Sequence, residues 1–276
     1  MKTIFDVADL QYRVRIPRID RRTKTYLFDR YGQYIGHNKK EAVGEIVIHL
    51  SHRKRFQSEN RAKGLKALEK RGTLYVTHKG IYAGTIDLIH RKGEFHCFSV
   101  SALNTILKLF TSLCVLFKRG LVLHASAIVI KGKAFVFVGK QGVGKSTIAR
   151  LSGGNIIADD TSFIVPSNRV FYVHPTPFDK NLELPNNSPA PLQKCIYISH
   201  KLQNDTFERL RSRDMPKLLI DHIRPDMDFF RFSPLCLNEI FTSIINFVAS
   251  FEKFYILDFS KSDNFLDLIL HEPSAD

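Results

Sequence analysis

Cysteine is scarce: Cys97, Cys114, Cys195 and Cys236 stand far apart, form no C-x-x-C pair and lie among apolar neighbours. That argues against a cysteine-ligated zinc site and a disulfide framework, and it leaves reduced core thiols. Long apolar runs are missing too. None approaches the roughly 18 residues of a membrane span, and the start Met1-Lys2-Thr3-Ile4-Phe5-Asp6 carries an acid where a signal peptide continues apolar. The expectation is a cytoplasmic chain with no membrane partner. No proline- or glycine-rich linker divides the 276 residues, a length that suits one large domain or a small one plus a medium one. Acidic residues are sparse in the first 80 positions, which hold 19 Lys and Arg against 8 Asp and Glu and so carry most of the net charge of +14. The densest patch is His52-Arg53-Lys54-Arg55 through Arg61, Lys63, Lys66, Lys70 and Arg71, with Leu65 and Leu68 as apolar anchors. It suits an acidic protein, a nucleic acid or a membrane surface, or it is the solvated face of a small domain. Aromatic interleaving of the kind that stacks bases is slight, so nucleic acid is not favoured.

What is present in the first hundred residues is a set of short runs with period-two alternation: 12–16, 25–28, 45–50, 73–77 and 95–100. Gly32, Gly36, Gly72 and Gly80 punctuate them, with the basic patch as a loop or short helix in between. This predicts a small antiparallel β-rich domain over residues 1–100 with no catalytic motif. A helix capped by Ser99 or Ser101 follows, with Leu103, Ile106, Leu107, Phe110, Leu113, Cys114 and Phe117 on one face to pack on a sheet. The second domain is expected over 101–276. It opens with a hairpin from Leu121 to Val138, turning at Lys131-Gly132-Lys133.

The strand-like Ala134-Phe135-Val136-Phe137-Val138 runs into Gly139-Lys140-Gln141-Gly142-Val143-Gly144-Lys145-Ser146-Thr147, which matches G-x-x-x-x-G-K-[ST]. Glycines at this spacing let backbone N–H groups turn inward on phosphates. Lys145 adds a mobile positive charge, the Ser146 hydroxyl suits a magnesium ion, and the helix that follows adds its dipole. Mg²⁺ and a nucleotide, ATP first, are the expected cofactors. Gly139, Gln141, Gly142, Val143, Gly144, Lys145, Ser146 and Thr147 are the expected binding residues.

About fifteen residues on comes Asn155-Ile156-Ile157-Ala158-Asp159-Asp160-Thr161. Its apolar part reads as a buried parallel strand returning beside the one that carries the loop. Its carboxyl end would then project Asp159 and Asp160 where the terminal phosphate lies. Neighbouring strand residues face opposite ways, so one carboxylate suits accepting a hydroxyl proton and the other suits holding Mg²⁺. The plainer alternative is a pair of turn or cap aspartates.

His124 in Leu123-His124-Ala125-Ser126, the loop from Gly139 to Ser146, and Ala158-Asp159-Asp160 follow one another in an order that resembles the catalytic domain of HPr kinase/phosphorylase, a bacterial serine kinase family. His174-Pro175-Thr176-Pro177-Phe178 and Ala190-Pro191-Leu192 leading into 195–198 are similar to its smaller relatives. The resemblance spans about residues 121–200. It implies an α/β P-loop nucleotide-binding domain with a mixed sheet and flanking helices, like that of phosphoenolpyruvate carboxykinase. It implies Asp159 as general base for a substrate serine, His124 as its electrostatic partner, Lys145 neutralising the transferred phosphoryl, and Asp160 with Ser146 on the metal. Thr147 stands where these kinases usually place Glu, and a second glycine-rich signature loop is absent. Neither HPr itself nor the phosphate-dependent reverse reaction is therefore carried over. The partner expected is a serine-bearing protein or peptide, acidic in character, and a homo-oligomer is compatible with the family.

Further on, 206–213, 217–223 and 235–251 suit helices, the last with Pro234 at its start; 254–259 suits a strand and 263–270 a final helix. Arg224 and Arg231 are candidate charge clamps outside the site proper. The leading function is an ATP-dependent serine kinase. A nucleotide-gated binding module without catalysis and a small-molecule kinase stay open beside it, and a nucleic-acid-dependent ATPase ranks last.

Overall fold

The structure, a computed structural model, describes residues 1–36, 41–51, 65–78, 81–153, 155–178, 188–199, 205–223, 230, 233–260 and 265–271. The chain divides into one unit of Met1–Phe117 with Asp226–Glu239 and another of Lys118–Pro225 with Ile240–Asp276. No helix among the described residues is long and apolar enough to cross a membrane.

The first unit is built on β1 (Lys2–Val7), β2 (Leu10–Arg15), α1 (Arg21–Tyr31), β3 (Ile35–Gly36), β4 (Glu45–Leu50), β5 (Leu65–Lys70), β6 (Thr73–His78), β7 (Tyr82–Asp87), β8 (Lys92–Cys97) and α2 (Val100–Leu116). Its strands form one eight-stranded sheet in the order β3-β1-β2-β4-β8-β7-β6-β5. Alternation fixes which face is inside: Ile46 and Ile48 on β4, Leu74 and Val76 on β6, and Phe95 and Cys97 on β8 are buried. Ser99 caps α2 by accepting from the Ala102 amide. The helix buries Leu103, Ile106, Leu107, Phe110 and Cys114. Phe110 tilts against Tyr12 at 5.4 Å between ring centroids, and the buried Tyr12 hydroxyl bonds Thr111 Oγ1 at 2.7 Å.

This unit departs from expectation in three ways. It is neither small nor wholly antiparallel, because β4 runs parallel to both β2 and β8. The helix over Val100–Leu116 belongs to it, so the division falls after Phe117 rather than near residue 100. Residues 25–28 lie in α1 rather than a strand. Asp20 caps that helix by accepting from the amide and hydroxyl of Thr23, and Thr23, Leu27 and Tyr31 are buried at helical spacing. In the basic patch, Lys66 and Lys70 lie in strand β5 and Arg71 in the turn after it. His52, Arg53, Lys54, Arg55, Arg61 and Lys63, like Gly80, lie outside the described residues.

The second unit contains β9 (Leu121–Leu123), β10 (Ala125–Ile130), β11 (Lys133–Val138), α3 (Lys145–Leu151), β12 (Asn155–Asp159), β13 (Ser162–Ser167), β14 (Val170–His174), β15 (Ala190–Ser199), β16 (Thr206–Arg209), α4 (Met215–Ile220), β17 (Phe254–Asp258) and α6 (Phe265–Leu270). α5 (Pro234–Ser250) begins in the segment counted with the first unit. The nine-stranded sheet runs β12-β10-β11-β15-β14-β13-β9, and β15 also pairs with β17, which pairs with β16. Phe137, Ile196, Ile198, Tyr255, Leu257, Phe259 and Phe265 form the core beside α3 and α6. Residues 206–209 are a strand rather than the expected helix, held antiparallel on β17. The four cysteines are buried free thiols, as expected. Burial pushes Cys97 up to about 11 and Cys114, Cys195 and Cys236 up to about 12.

Candidate functional site

One end of the second sheet collects the residues that the sequence singles out. β10 and β11 form an antiparallel hairpin with Ala125 opposite Val138 and Ser126 opposite Phe137. On its other edge β10 pairs antiparallel with β12, which sets Ser126 opposite Asp159. β12 therefore runs in the direction of β11 but lies one strand away, with β10 between them, rather than directly beside it. The carboxyl ends of β11 and β12 still lie at the same end of the sheet, about 10 Å apart at two strand spacings. Gly139 leaves from the first and Asp160 from the second.

The turn from Gly139 to Gly144 is shaped by its glycines. Gly142 and Gly144 take φ of 79° and 107°, where a side chain is strained. A Cβ on Gly139 would stand 2.9 Å from Val143 Cγ1 and 3.0 Å from the Ile198 carbonyl. Val143 is buried and holds the turn down, its N–H donating to the Lys140 carbonyl. Gln141 is exposed, while Ser146 and Thr147 are half-buried in the first turn of α3. α3 has only seven residues, so the backbone N–H groups of the turn and Lys145 supply more positive potential than its dipole. Lys145 is buried, and its Nζ donates to the Gly139 and Lys140 carbonyls at 2.8 and 3.0 Å. A buried ammonium needs such partners.

The two aspartates have separate surroundings. Asp159 ends β12 and accepts from Ser126 Oγ at 3.0 Å through Oδ1. Asp160 turns out of the strand with φ of 121°, its N–H donating to the Ala125 carbonyl. His124 Nδ1 lies 3.1 Å from Asp160 Oδ1 and 3.2 Å from the Asp160 carbonyl. The structure thus sets the His124 ring against Asp160, whereas the resemblance implies Asp159 as its partner. Ser162 Oγ donates to the Ala125 carbonyl and steadies the same corner.

His222 is the residue that sequence reading misses. It follows α4, its carbonyl accepts from the His124 N–H at 2.8 Å, and Ile223 bridges Leu123. Burial is the main cause that lowers its pKa to about 4; Lys145, His124 and Lys140 lower it further and Asp221 opposes them. It therefore stands in the fields of both the lysines of the turn and the His124 corner. No local motif marks it; only the path of the chain brings it here. Arg224 and Arg231 lie outside the described residues.

The arrangement offers a glycine turn and a buried ammonium after β11, and two carboxylates, an imidazole and hydroxyls around β10 and the end of β12. Such a set suits an anion flanked by a proton acceptor. No protein-family model matches the chain, and no curated protein matches it. Among solved structures it is similar to the HPr(Ser) kinase/phosphatase from Coxiella burnetii, at 17% identity and a TM-score of 0.24, over 32% of this chain and 76% of that one. That is a weak structural similarity to a kinase/phosphatase.

Proposed function

We propose that the chain is an ATP- and Mg-dependent serine kinase acting on a protein or peptide. The observation that carries this reading is the pairing of β11 and β12 on the two edges of β10, which brings the glycine turn with its buried Lys145 and the Asp159–Asp160 pair, held against His124, to one end of the sheet. The donor set fits the nucleotide. Gly142 has open space where a Cβ would stand, and Gly142 and Gly144 have the positive φ that lets amides face a phosphate. The residues that hold ATP are Gly139, Gln141, Gly142, Val143, Gly144, Lys145, Ser146 and Thr147, with Ser146 and Asp160 toward Mg²⁺. Mg-ATP supplies the phosphoryl group and the charge that links it to the loop.

The chain's own residues then divide the work. Lys145 turns from the Gly139 and Lys140 carbonyls to the anion, exchanging one pair of acceptors for another. Asp159, oriented by the Ser126 hydroxyl, takes the proton of the attacking serine. His124 holds the turned-out Asp160 and fixes its carboxylate direction. Phosphoryl transfer of this kind depends mainly on orientation and charge neutralisation, so no further nucleophile is required.

The test is phosphoproteomics of a source-cell extract incubated with the purified chain and Mg-ATP, beside Lys145→Ala and Asp159→Asn. New phosphoserine with the natural chain is expected. Asp159→Asn should lower its rate on the order of 10²- to 10⁴-fold with nucleotide binding kept. Unchanged phosphorylation in Asp159→Asn would remove it as general base. Nucleotide binding that Lys145→Ala abolishes, with no new phosphosite, would replace the kinase by a nucleotide-gated module or a small-molecule acceptor.

A further inference from the structure

The outward face of the first sheet carries a second cluster of chemistry, remote in sequence from the loop and the aspartates. Ile46, Ile48, Phe95 and Cys97 face the core, so the intervening His49, Glu94 and His96 face outward. β4 and β8 run parallel with His49 opposite His96 and Val47 opposite Glu94. Glu94 and His96 are two residues apart on one strand, roughly 6.5 Å along it, and His49 is one strand spacing away, about 4.8 Å. The imidazoles of His49 and His96 stack at 4.6 Å between centroids and 13° between planes. His49 Nε2 lies 3.0 Å from Glu94 Oε1. One ligand atom from each of the three residues falls within 4.8 Å of the other two.

We propose that His49, Glu94 and His96 bind one borderline divalent transition ion, with Zn²⁺ as the reference, through three protein ligands and an open fourth position. Two imidazole nitrogens and one carboxylate oxygen are the donor set that such ions prefer, whereas Mg²⁺ and Ca²⁺ seek oxygen. Tetrahedral coordination at about 2.0–2.2 Å sets donors roughly 3.3 Å apart. The His49–Glu94 pair is already near that separation. Closing the rest takes only ring rotation, which is soft for an imidazole. The backbones need no movement, because both strands are central in the sheet and fixed by its ladder. The residues opposite Glu94 and His96 on β7 are the uncharged Thr85 and Ala83, and Lys92 is paired in register with Glu45 and Asp87. The cations Arg15, opposite Val47, and Lys66, in the groove beside His96, have long stems that can carry their charge away from the ion. His96 also lines a groove with Lys66, Leu68, Tyr75 and Ala83, so the site lies beside an open surface from which water can complete the shell.

The test is a Zn²⁺ titration of the full chain, free of any affinity tag and without nucleotide, by calorimetry, with Co²⁺ absorption as a second readout. The natural chain should bind one equivalent that His49→Ala with His96→Ala removes, and Glu94→Gln should weaken binding on the order of 10- to 100-fold. Tetrahedral Co²⁺ bands should vanish with the same substitutions. His49 and Glu94 side chains are 34% and 62% exposed, so these variants should keep the fold. The glutamine pair His49→Gln with His96→Gln repeats the measurement at near-constant volume, with melting of the metal-free proteins as the check. Binding that survives both double variants, or no saturable binding by the natural chain, would overturn the proposal.

Discussion

Both units rest on a mixed sheet, of eight strands in one and nine in the other, yet they place their reactive groups differently. In the first unit, His49, Glu94 and His96 project from the middle of regular strands and rely on the ladder for position. In the second, the candidate site residues stand where strands end and the backbone takes positive φ: Asp160 at 121°, Gly144 at 107° and Gly142 at 79°. Sheet interiors are rigid and give fixed spacing at no conformational cost. Strand ends can aim several groups at one point, but only by accepting strain and burying polar atoms. A substitution should therefore cost packing in the first unit and release or expose strain in the second.

The largest expected effect tests whether the two units are separable. Phe110→Ala removes a fully buried ring that packs on Tyr12, and should destabilise by about 3–5 kcal/mol. Hydrogen exchange should then lose protection in α2, β2, β4 and β8, while β10, β11 and β15 keep theirs. Equal loss in both units would show that α2 supports the second as well, and that a division at Phe117 has no energetic meaning.

Next comes strain at Asp160. A non-glycine residue in that backbone region costs about 1–3 kcal/mol, and glycine gives back part of the gain through the entropy of its unfolded chain. Both Asp160→Gly and Asp160→Ala lose the carboxylate contact with His124 and keep the one through the backbone carbonyl, so their difference isolates the backbone. Chemical denaturation should find the glycine variant more stable than the alanine variant by about 1–2 kcal/mol. Equal stabilities would mean that the turn relaxes.

A smaller change separates packing from hydrogen bonding inside the first unit. Tyr12→Phe keeps the ring on Phe110 and deletes a hydroxyl that bonds Thr111, whose own hydroxyl still donates to the Leu107 carbonyl. With one partner retained, the expected loss is about 0.5–1.5 kcal/mol by the same denaturation measurement. A loss as large as that of Phe110→Ala would mean the hydroxyl network, and not ring packing, holds α2 down.

What could be read from sequence follows from how local each feature is. The glycine turn, β11 before it and Asp159-Asp160 are contiguous motifs with their context alongside. α2 and α5 carry apolar periodicity over seventeen residues each, long enough to identify them. α1 escaped because Thr25-Tyr26-Leu27-Phe28 has strand-like composition, and the helix is decided by the cap at Asp20 and by burial of Leu27 and Tyr31. β5 was hidden by its lysines, which suit an exposed edge strand. β16 exists because β17 offers it an edge. The place of β12 beside β10 depends on a neighbour choice that no local pattern encodes. The same holds for His49 and His96, 47 residues apart, and for His222, whose surroundings come from β10 and the turn.

His222 also supplies the prediction with no effect at neutral pH. Its folded pKa of about 4 lies below the ordinary 6.5. Between those values the unfolded chain takes up a proton that the folded chain refuses, so stability is full above pH 6.5 and declines as pH falls toward 4. Thermal melting from pH 7.5 to 4.5 should show this slope in the natural chain and a shallower one in His222→Gln, with little difference above pH 7. Identical slopes would mean that the ring reaches water before the fold opens. Nucleotide sharpens the comparison between burial and charge as causes. Phosphates near Lys145 and Lys140 would cancel the repulsion that the lysines exert, yet burial is the larger cause and stays. Mg-ATP should therefore raise the His222 titration seen by NMR only part of the way to 6.5, and a full return would show that the lysines, not burial, set it.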